Sequence, residues 1–498
     1  MTAVIEAPDV AFLREPRKQL LIGGGWVDAQ SGRAFATHNP SNGQVIAELA
    51  EAGTADVDRA VAAARAAFAG PWRTMRPAQR QNLLWAVADA LEAHYEELRL
   101  LEVLEMGSPI GKRRPGKKAA AWEATVLRYF AGWATKLHGK TIPNSLPGNV
   151  FSYTLKEPVG VVGAIVPWNR PISNAIWKIA PVLATGCTMI LKPAEEASLA
   201  ALRIGELLLE AGVPDGVVNV VTGGAEAGAA LAGHLDVDKV AFTGSTVTGQ
   251  HIIRAAAGNL KRVSLELGGK SPDVVFADAD LDKAVPGAAM SVFSNSGQIC
   301  CAGTRIYVEE PVYEEFVAGV SDFAGTLTVG NALDPETTIG PLVSAEQLER
   351  VTGYLELGPR EGVRTTAGGA RLTDGDLADG YFVPPTVFAD VRDDMRVAQE
   401  EIFGPVACVM PFSSMEEVAA RSNETTFGLA AGMWTRDVGK AHRLAAAMQA
   451  GTVWINTALL FDPAVPFGGY KMSGWGHEMG EDCLDEYLNT KSVWIDTT

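Results

Sequence analysis

The chain has 498 residues, 47% of them hydrophobic and 20% charged. That size exceeds one simple core and points to roughly two to four units, and the balance excludes a disordered chain. A formal net charge of −17 disfavours nucleic acid or an anionic membrane as a partner. From the N-terminus, "MTAVIEAPDVAFLREPRKQL" lacks the long apolar core of a signal peptide, and no later apolar run reaches the about 18 residues of a spanning helix. "QLLIGGGWVDA" (19–29) and "GQVIAELA" (43–50) read as short hairpin strands around Gly- and Asn-containing turns. "TADVDRAVAAARAAF" (54–68) reads as a helix with Thr54 at its N-cap, and helical apolar spacing runs from 77 to Gly107.

Five continuous apolar runs follow, the mark of strands buried on both faces: "VGVVGAIVPW" (159–168), "CTMILKP" (187–193), "GVVNVVTGG" (216–224), "DKVAFTGS" (238–245) and "KRVSLELGG" (261–269). Helical stretches at 172–185, 196–211, 225–234 and 246–257 separate them. Alternating strand and helix predicts a parallel sheet with helices on both faces. A second alternating stretch has strands at 272–276, 304–308, 405–412, 428–434 and 451–456, with helices near 280–294, 311–326, 414–422 and 437–449. The fold class is therefore α/β, with two doubly wound units and a cleft between them as the natural site.

Parallel sheets bind ligands at the carboxyl ends of their strands. Pro167-Trp168-Asn169 follow the first strand, and Lys192 and Glu195 the second. Gly223-Gly224 follow the third and Gly244-Ser245-Thr246 the fourth. Glu266 closes the fifth, just before Gly268-Gly269. "FTGSTVTG" (242–249) suits a phosphate at a helix N-terminus, and equally suits an ordinary helix cap. "LKPAEEAS" (191–198) is either a Pro-initiated helix with acidic first residues or a ribose site. A carboxylate on the ribose would repel a 2′-phosphate and favour NAD over NADP. Glu266 is either a general base whose pKa burial raises, or a carboxylate paired with a basic neighbour.

The chain has five cysteines: Cys187, Cys300, Cys301, Cys408 and Cys483. Their spacing makes no disulfide framework and no metal site, and it fits a reducing cytoplasm. "NSGQICCAG" (295–303) offers two adjacent thiols in a Gly-flanked turn, either reactive or simply packed. The seven histidines lie away from these motifs, so no Cys–His pair has local support.

Seven motifs in order carry a family resemblance: "PWNRP" (167–171), "LKPAE" (191–195), "FTGST" (242–246), "ELGGKSP" (266–272), "GQICCAG" (297–303), "EEIFGPV" (400–406) and "PFGGYKMSG" (466–474). From about residue 20 to 495, the chain resembles the NAD(P)-dependent aldehyde dehydrogenase superfamily, in its hydrolytic, aldehyde-oxidising branch. The resemblance implies Cys300 as nucleophile, Glu266 as general base and Asn169 as oxyanion donor. It implies Lys178 and Glu478 as a proton relay. Trp168, Lys192, Glu195, Gly244, Ser245, Gly268, Glu401 and Phe403 would contact NAD, with NADP less favoured. Residues 1–139 and 160–266 would form a Rossmann-like cofactor domain and 267–478 a catalytic domain. Residues 140–159 and 479–498 would form a small β oligomerisation element, making a homodimer or homotetramer.

The expected substrate pocket departs from the family pattern. Arg170 stands where relatives usually have an aromatic or aliphatic residue, Ser294 where an aromatic is common, Asn174 replaces an apolar residue, and Asp462 lies just past Phe461. Trp177, Phe461 and Phe467 still supply aromatic walls. The expectation is an aromatic or medium-chain aldehyde with a polar group. An Arg170–Asp462 pair at the rim with no substrate role is the competing reading. A semialdehyde dehydrogenase, a thiol esterase and a non-catalytic homologue are the alternatives. His477 replaces a usual arginine and puts a local salt bridge in doubt.

Overall fold

The computed structural model describes residues 9–111 and 121–498. The five apolar runs form adjacent parallel strands, Val161–Val166, Thr188–Pro193, Val218–Val220, Lys239–Thr243 and Arg262–Glu266. Every residue of Val161–Val166 and of Thr188–Pro193 is buried, as a sheet covered on both faces requires. On one face Val162, Ala164 and Leu191 pack with Ile176, Ile179 and Leu183 of the helix Pro171–Thr185. On the other, Val161, Ile165 and Val240 meet Val57, Ala60 and Ala64 of the helix Thr54–Ala69. Alternate side chains thus serve opposite cores, and each fully buried Val, Leu or Ile contributes about 1.5–3 kcal/mol.

The chain lays down the first three of these strands in one direction, then returns to place Lys239–Thr243 on the other side of Val161–Val166. That reversal opens a crevice at the carboxyl ends of the two strands. The hairpin Leu20–Ile22/Gly25–Val27 extends one edge of the sheet, antiparallel. The short strand Gly474–Trp475 pairs antiparallel with Arg262–Glu266 at the other edge. Glu266 therefore sits on a strand held from both sides.

The second sheet has seven strands in the order Arg364–Ala367, Thr386–Ala389, Val406–Phe412, Arg305–Glu309, Pro272–Val275, Ala430–Trp434 and Thr452–Ile455. All pairings except the first are parallel. Its own reversal lies between Pro272–Val275 and Ala430–Trp434. A separate ribbon joins Val150–Pro158 to Leu488–Asp496 over nine antiparallel residue pairs and leaves Phe151, Leu155, Trp494 and Ile495 exposed. No helix among the described residues is long and apolar enough to cross a membrane.

The structure refines several expectations. The helix expected over 77–107 is two, Pro77–Ala93 and Tyr95–Met106, joined at His94 with φ −105° and ψ 13°. Buried Leu91 and Leu98 keep helical spacing across the join, so periodicity alone does not mark it. Val45–Ala50 pairs not with the first hairpin but with Ala34–His38 and Arg17–Lys18 in a small third sheet.

Candidate active site

The crevice of the first sheet continues into a cavity of about 420 Å³ that reaches residues of both sheets' regions. Asn169, Glu266 and Cys300 line it together. Asn169 follows the end of Val161–Val166 and is 8% exposed. Its Nδ2 donates to the Gln298 carbonyl at 2.9 Å, which leaves the second amide hydrogen free for another acceptor. Asn295 Nδ2 binds back to the Asn169 carbonyl at 2.9 Å, tying this turn to the cysteine loop. In that loop Asn295 and Ser296 hold positive φ, 53° and 57°, and Gly297 holds 72°. A Cβ on Gly297 would strike the Gly404 carbonyl, so the left-handed turn and the close approach both require glycine there.

Cys300 is partly exposed and Cys301 is buried. Cys301 packs with Ile299, Ala302, Leu429 and Trp454. The hydrogen bond with Cys301 and then burial hold the Cys300 thiol well above its usual pKa, while the Arg170 charge pulls it down. Glu266 is 5% exposed, and neither of its carboxylate oxygens has a hydrogen-bond partner. Burial raises its pKa well above the usual carboxylate range, with the Lys178 charge opposing.

Lys178 and Glu478 are both buried, and Lys178 Nζ contacts Glu478 Oε1. Thr243 Oγ1 donates to the same carboxylate at 3.3 Å. Burial draws Lys178 down to about 7, with the Glu266 charge opposing. Neither residue lines the cavity. Both stand behind it, near Glu266.

Trp168, Gly244, Ser245, Gly268, Glu401 and Phe403 line the cavity. Ser245 is the N-cap of the helix Thr246–Ala256 and accepts the Thr248 N–H at 3.2 Å. Glu401 Oε1 accepts the Gly269 N–H at 3.0 Å, and a Cβ on Gly268 would strike the same carboxylate. Burial raises Glu401 to about 6. Trp168 and Phe403 meet edge to face at 5.3 Å between ring centres. Lys192 and Glu195 are paired at 3.2 Å beyond the cavity wall. A Cβ on Gly224 would come within 3.0 Å of Glu195 Oε1.

Trp177, Phe461 and Phe467 form an aromatic wall with ring centres 6.0, 6.0 and 5.5 Å apart pairwise. Arg170 and Asn174 line the same cavity. Ser294 faces a second, adjoining cavity instead. Asp462 is exposed and accepts the Ala464 N–H at 2.9 Å. No ion pair joins Arg170 to Asp462 among the described residues.

Gln298 and the helix Ala345–Glu361 carry contacts that sequence reasoning did not assign. Gln298 Oε1 accepts the Val343 N–H at 3.0 Å. Gln347 Nε2 donates to the Phe403 carbonyl at 2.7 Å, and Arg350 donates to the carbonyls of Glu401 and Ile402. The helix thus holds the Glu401–Phe403 turn against the cavity. Its sequence signals are the apolar spacing of Leu348, Val351 and Leu355 and the Ser344 N-cap with Gln347 three residues on.

Comparison with known proteins agrees with this geometry. Residues 26–493 match the model of the aldehyde dehydrogenase family. The chain is 48% identical over 502 residues to the mitochondrial aldehyde dehydrogenase of Rattus norvegicus, covering 99% of this chain and 94% of that protein. It is 49% identical over 478 residues to the mitochondrial aldehyde dehydrogenase family 2 member B4 of Arabidopsis thaliana, covering 95% and 87%. A solved NAD+ complex of an aldehyde dehydrogenase from Bacillus cereus matches 98% of both chains with a TM-score of 0.93 and 48% identity. With the family model spanning most of its length and relatives this similar, the chain belongs to the aldehyde dehydrogenase family.

Proposed function

We propose that the protein oxidises an aldehyde to the carboxylic acid, with NAD as electron acceptor, through a Cys300 thiohemiacetal and thioester. One observation carries this reading. A thiol, an amide donor and a buried carboxylate without hydrogen-bond partners line a single cavity.

Cys300 Sγ forms a bond to the carbonyl carbon as the C=O electrons move to oxygen. The free amide hydrogen of Asn169 and the Cys300 N–H hold that oxyanion. The raised thiol pKa means a proton must leave as sulfur attacks, and the Glu266 carboxylate is the base at hand. When bound, NAD supplies the acceptor for the hydride that turns the thiohemiacetal into a thioester. Once Glu266 has given up the thiol proton through Lys178 and Glu478, its carboxylate takes a proton from water, the hydroxyl adds to the acyl carbon, and the C–S bond breaks to release the acid and the Cys300 thiolate. Lys178, drawn down to about 7, and Glu478 pass that proton away from the site.

The residues present fit a dinucleotide. The start of Thr246–Ala256 offers N–H groups and a helix dipole to phosphate, beside Ser245. The Gly268–Glu401 approach leaves no room for a Cβ, and the Glu401 carboxylate on the cavity wall would hold a ribose hydroxyl. Glu195, beside Gly224 and Lys192, suits ribose hydroxyls and opposes a 2′-phosphate, which favours NAD over NADP. Trp177, Phe461 and Phe467 suit an aromatic or medium-chain aldehyde. Residues 1–139 and 160–266 serve the cofactor and 267–478 the thiol chemistry. The ribbon within 140–159 and 479–498, with its exposed Phe151, Leu155, Trp494 and Ile495, pairs subunits of a cytoplasmic homodimer or homotetramer.

The test is a panel of aliphatic, aromatic and semialdehyde substrates followed by NADH absorbance, with NAD and with NADP. Aldehyde-dependent NADH formation, faster with NAD, is expected. Ester hydrolysis without NADH from any aldehyde would replace this reading with a thiol esterase.

A further inference from the structure

A second cavity, of about 380 Å³, adjoins the first and shares Asn169, Arg170 and Ser173 with it. The two differ in character. The first has the aromatic wall, whereas the apolar lining of the second, among the described residues, is Pro109, Met290 and the Tyr95 ring. Arg99, Glu102 and Glu123 of the second cavity are each partnered, although Glu123 Oε2 has no hydrogen-bond partner. Arg99 is held by Glu102 and also donates to the Pro109 carbonyl at 3.2 Å. Glu123 accepts the Ser173 hydroxyl at 2.5 Å, and burial pushes its carboxyl up toward the neutral form.

Arg170 is the exception. It has no carboxylate partner among the described residues and stands on the wall common to both cavities. It is also the N-cap residue of Pro171–Thr185, a helix with no side-chain cap, so the helix dipole adds to its charge there. Ser294 lines this cavity with a small side chain, which leaves its volume open. Asn169 lies on the shared wall, so an aldehyde held there has access to either cavity for its other end.

We propose that the second cavity receives the far end of the substrate, that this end is a carboxylate, and that Arg170 selects it. The preferred substrates are then ω-oxo acids and the products dicarboxylates. This inference rests on the aldehyde-oxidising reading above and narrows it to a substrate class.

The test compares adipate semialdehyde with hexanal, which has the same chain length and no charge. The readout is the ratio of their kcat/KM values in wild type, Arg170→Ala and Ser294→Phe. The expected ratio favours the semialdehyde in wild type. It falls about tenfold or more in Arg170→Ala, chiefly through KM, as loss of a charge-assisted contact made in ground and transition state alike requires. Ser294→Phe, which fills the cavity without touching the charge, lowers the ratio too. A ratio unchanged in both variants overturns the proposal.

Calorimetric titration with adipate gives a readout independent of turnover. Binding about tenfold weaker in Arg170→Ala supports the carboxylate site, and equal binding overturns it. If neither aldehyde yields NADH while adipate still binds through Arg170, the oxidation reading fails and the carboxylate site stands.

Discussion

Replacing Asn169 with alanine separates catalysis from stability. In the resting structure Asn169 Nδ2 makes one good hydrogen bond, to the Gln298 carbonyl at 2.9 Å. Asn295 Nδ2 also reaches that carbonyl, at 3.3 Å, so the cysteine loop keeps a donor when Asn169 is truncated. Asn174 Nδ2 loses only a long 3.5 Å contact and borders the cavity, where water replaces it. The stability cost is therefore that of about one hydrogen bond, near 1 kcal/mol. The catalytic cost is that of an oxyanion donor, about 2.7–4 kcal/mol, or roughly a hundredfold to a thousandfold in kcat. Steady-state NADH formation and thermal unfolding measure the two on one preparation. A kcat within about threefold of wild type at unchanged melting temperature would refute the oxyanion assignment.

Three further outcomes are expected. Cys300→Ala abolishes aldehyde oxidation, whereas Cys301→Ala keeps most of it and shifts alkylation of Cys300 by iodoacetamide to lower pH, since Cys301 is the main cause of the raised thiol; the reverse ranking of the two variants would overturn the choice of nucleophile. Glu266→Gln, placed where the carboxylate has no other partner, slows thioester hydrolysis most, so an acyl-enzyme accumulates and is visible as added mass on Cys300 by intact-protein mass spectrometry; a variant that turns over without accumulating it would count against the base assignment. Burial raises Glu401 from 4.5 to about 6, so the folded state holds this proton more tightly than the unfolded one. Its contribution to stability is full below the unfolded value and is lost as pH rises through about 6, a change of about 2 kcal/mol. Urea unfolding across that window should show a shallower pH slope for Glu401→Gln, and an unchanged slope would contradict the shift.

The first sheet was legible because its strands are buried on both faces and so read as unbroken apolar runs. Their polar ends then pointed to one edge, where the cavity lies. The Lys178–Glu478 contact was not legible from spacing, since the pair is joined only by the tertiary fold and came from family resemblance. The edge strand Arg364–Ala367 has no buried face to set an alternation, and Thr386–Ala389 is only four residues long. The helix Ala345–Glu361 carries Gly353, Gly358 and Pro359, which blur the pattern that its apolar residues make. Ser294, expected at the substrate tunnel, lines the adjoining cavity rather than the one with the aromatic wall. The left-handed turn at Asn295 and Ser296 redirects the chain immediately after it, and no periodicity encodes that turn.

The short strand Gly474–Trp475 has a consequence for the order in which the protein becomes competent. It forms the outer neighbour of the strand that ends in Glu266, and Glu478 lies just beyond it against Lys178. About 200 residues separate Glu266 from Gly474, and a ribosome needs about 10–40 s to make them. A nascent chain can therefore carry its parallel strands and its cysteine loop while Glu266, the proposed general base, still has an open flank and Lys178 still lacks Glu478. Such a chain could trap an aldehyde on sulfur but not release it efficiently. Under the proposed roles of Glu266 and Glu478, turnover, as distinct from acylation, requires a segment made about 200 residues after the base.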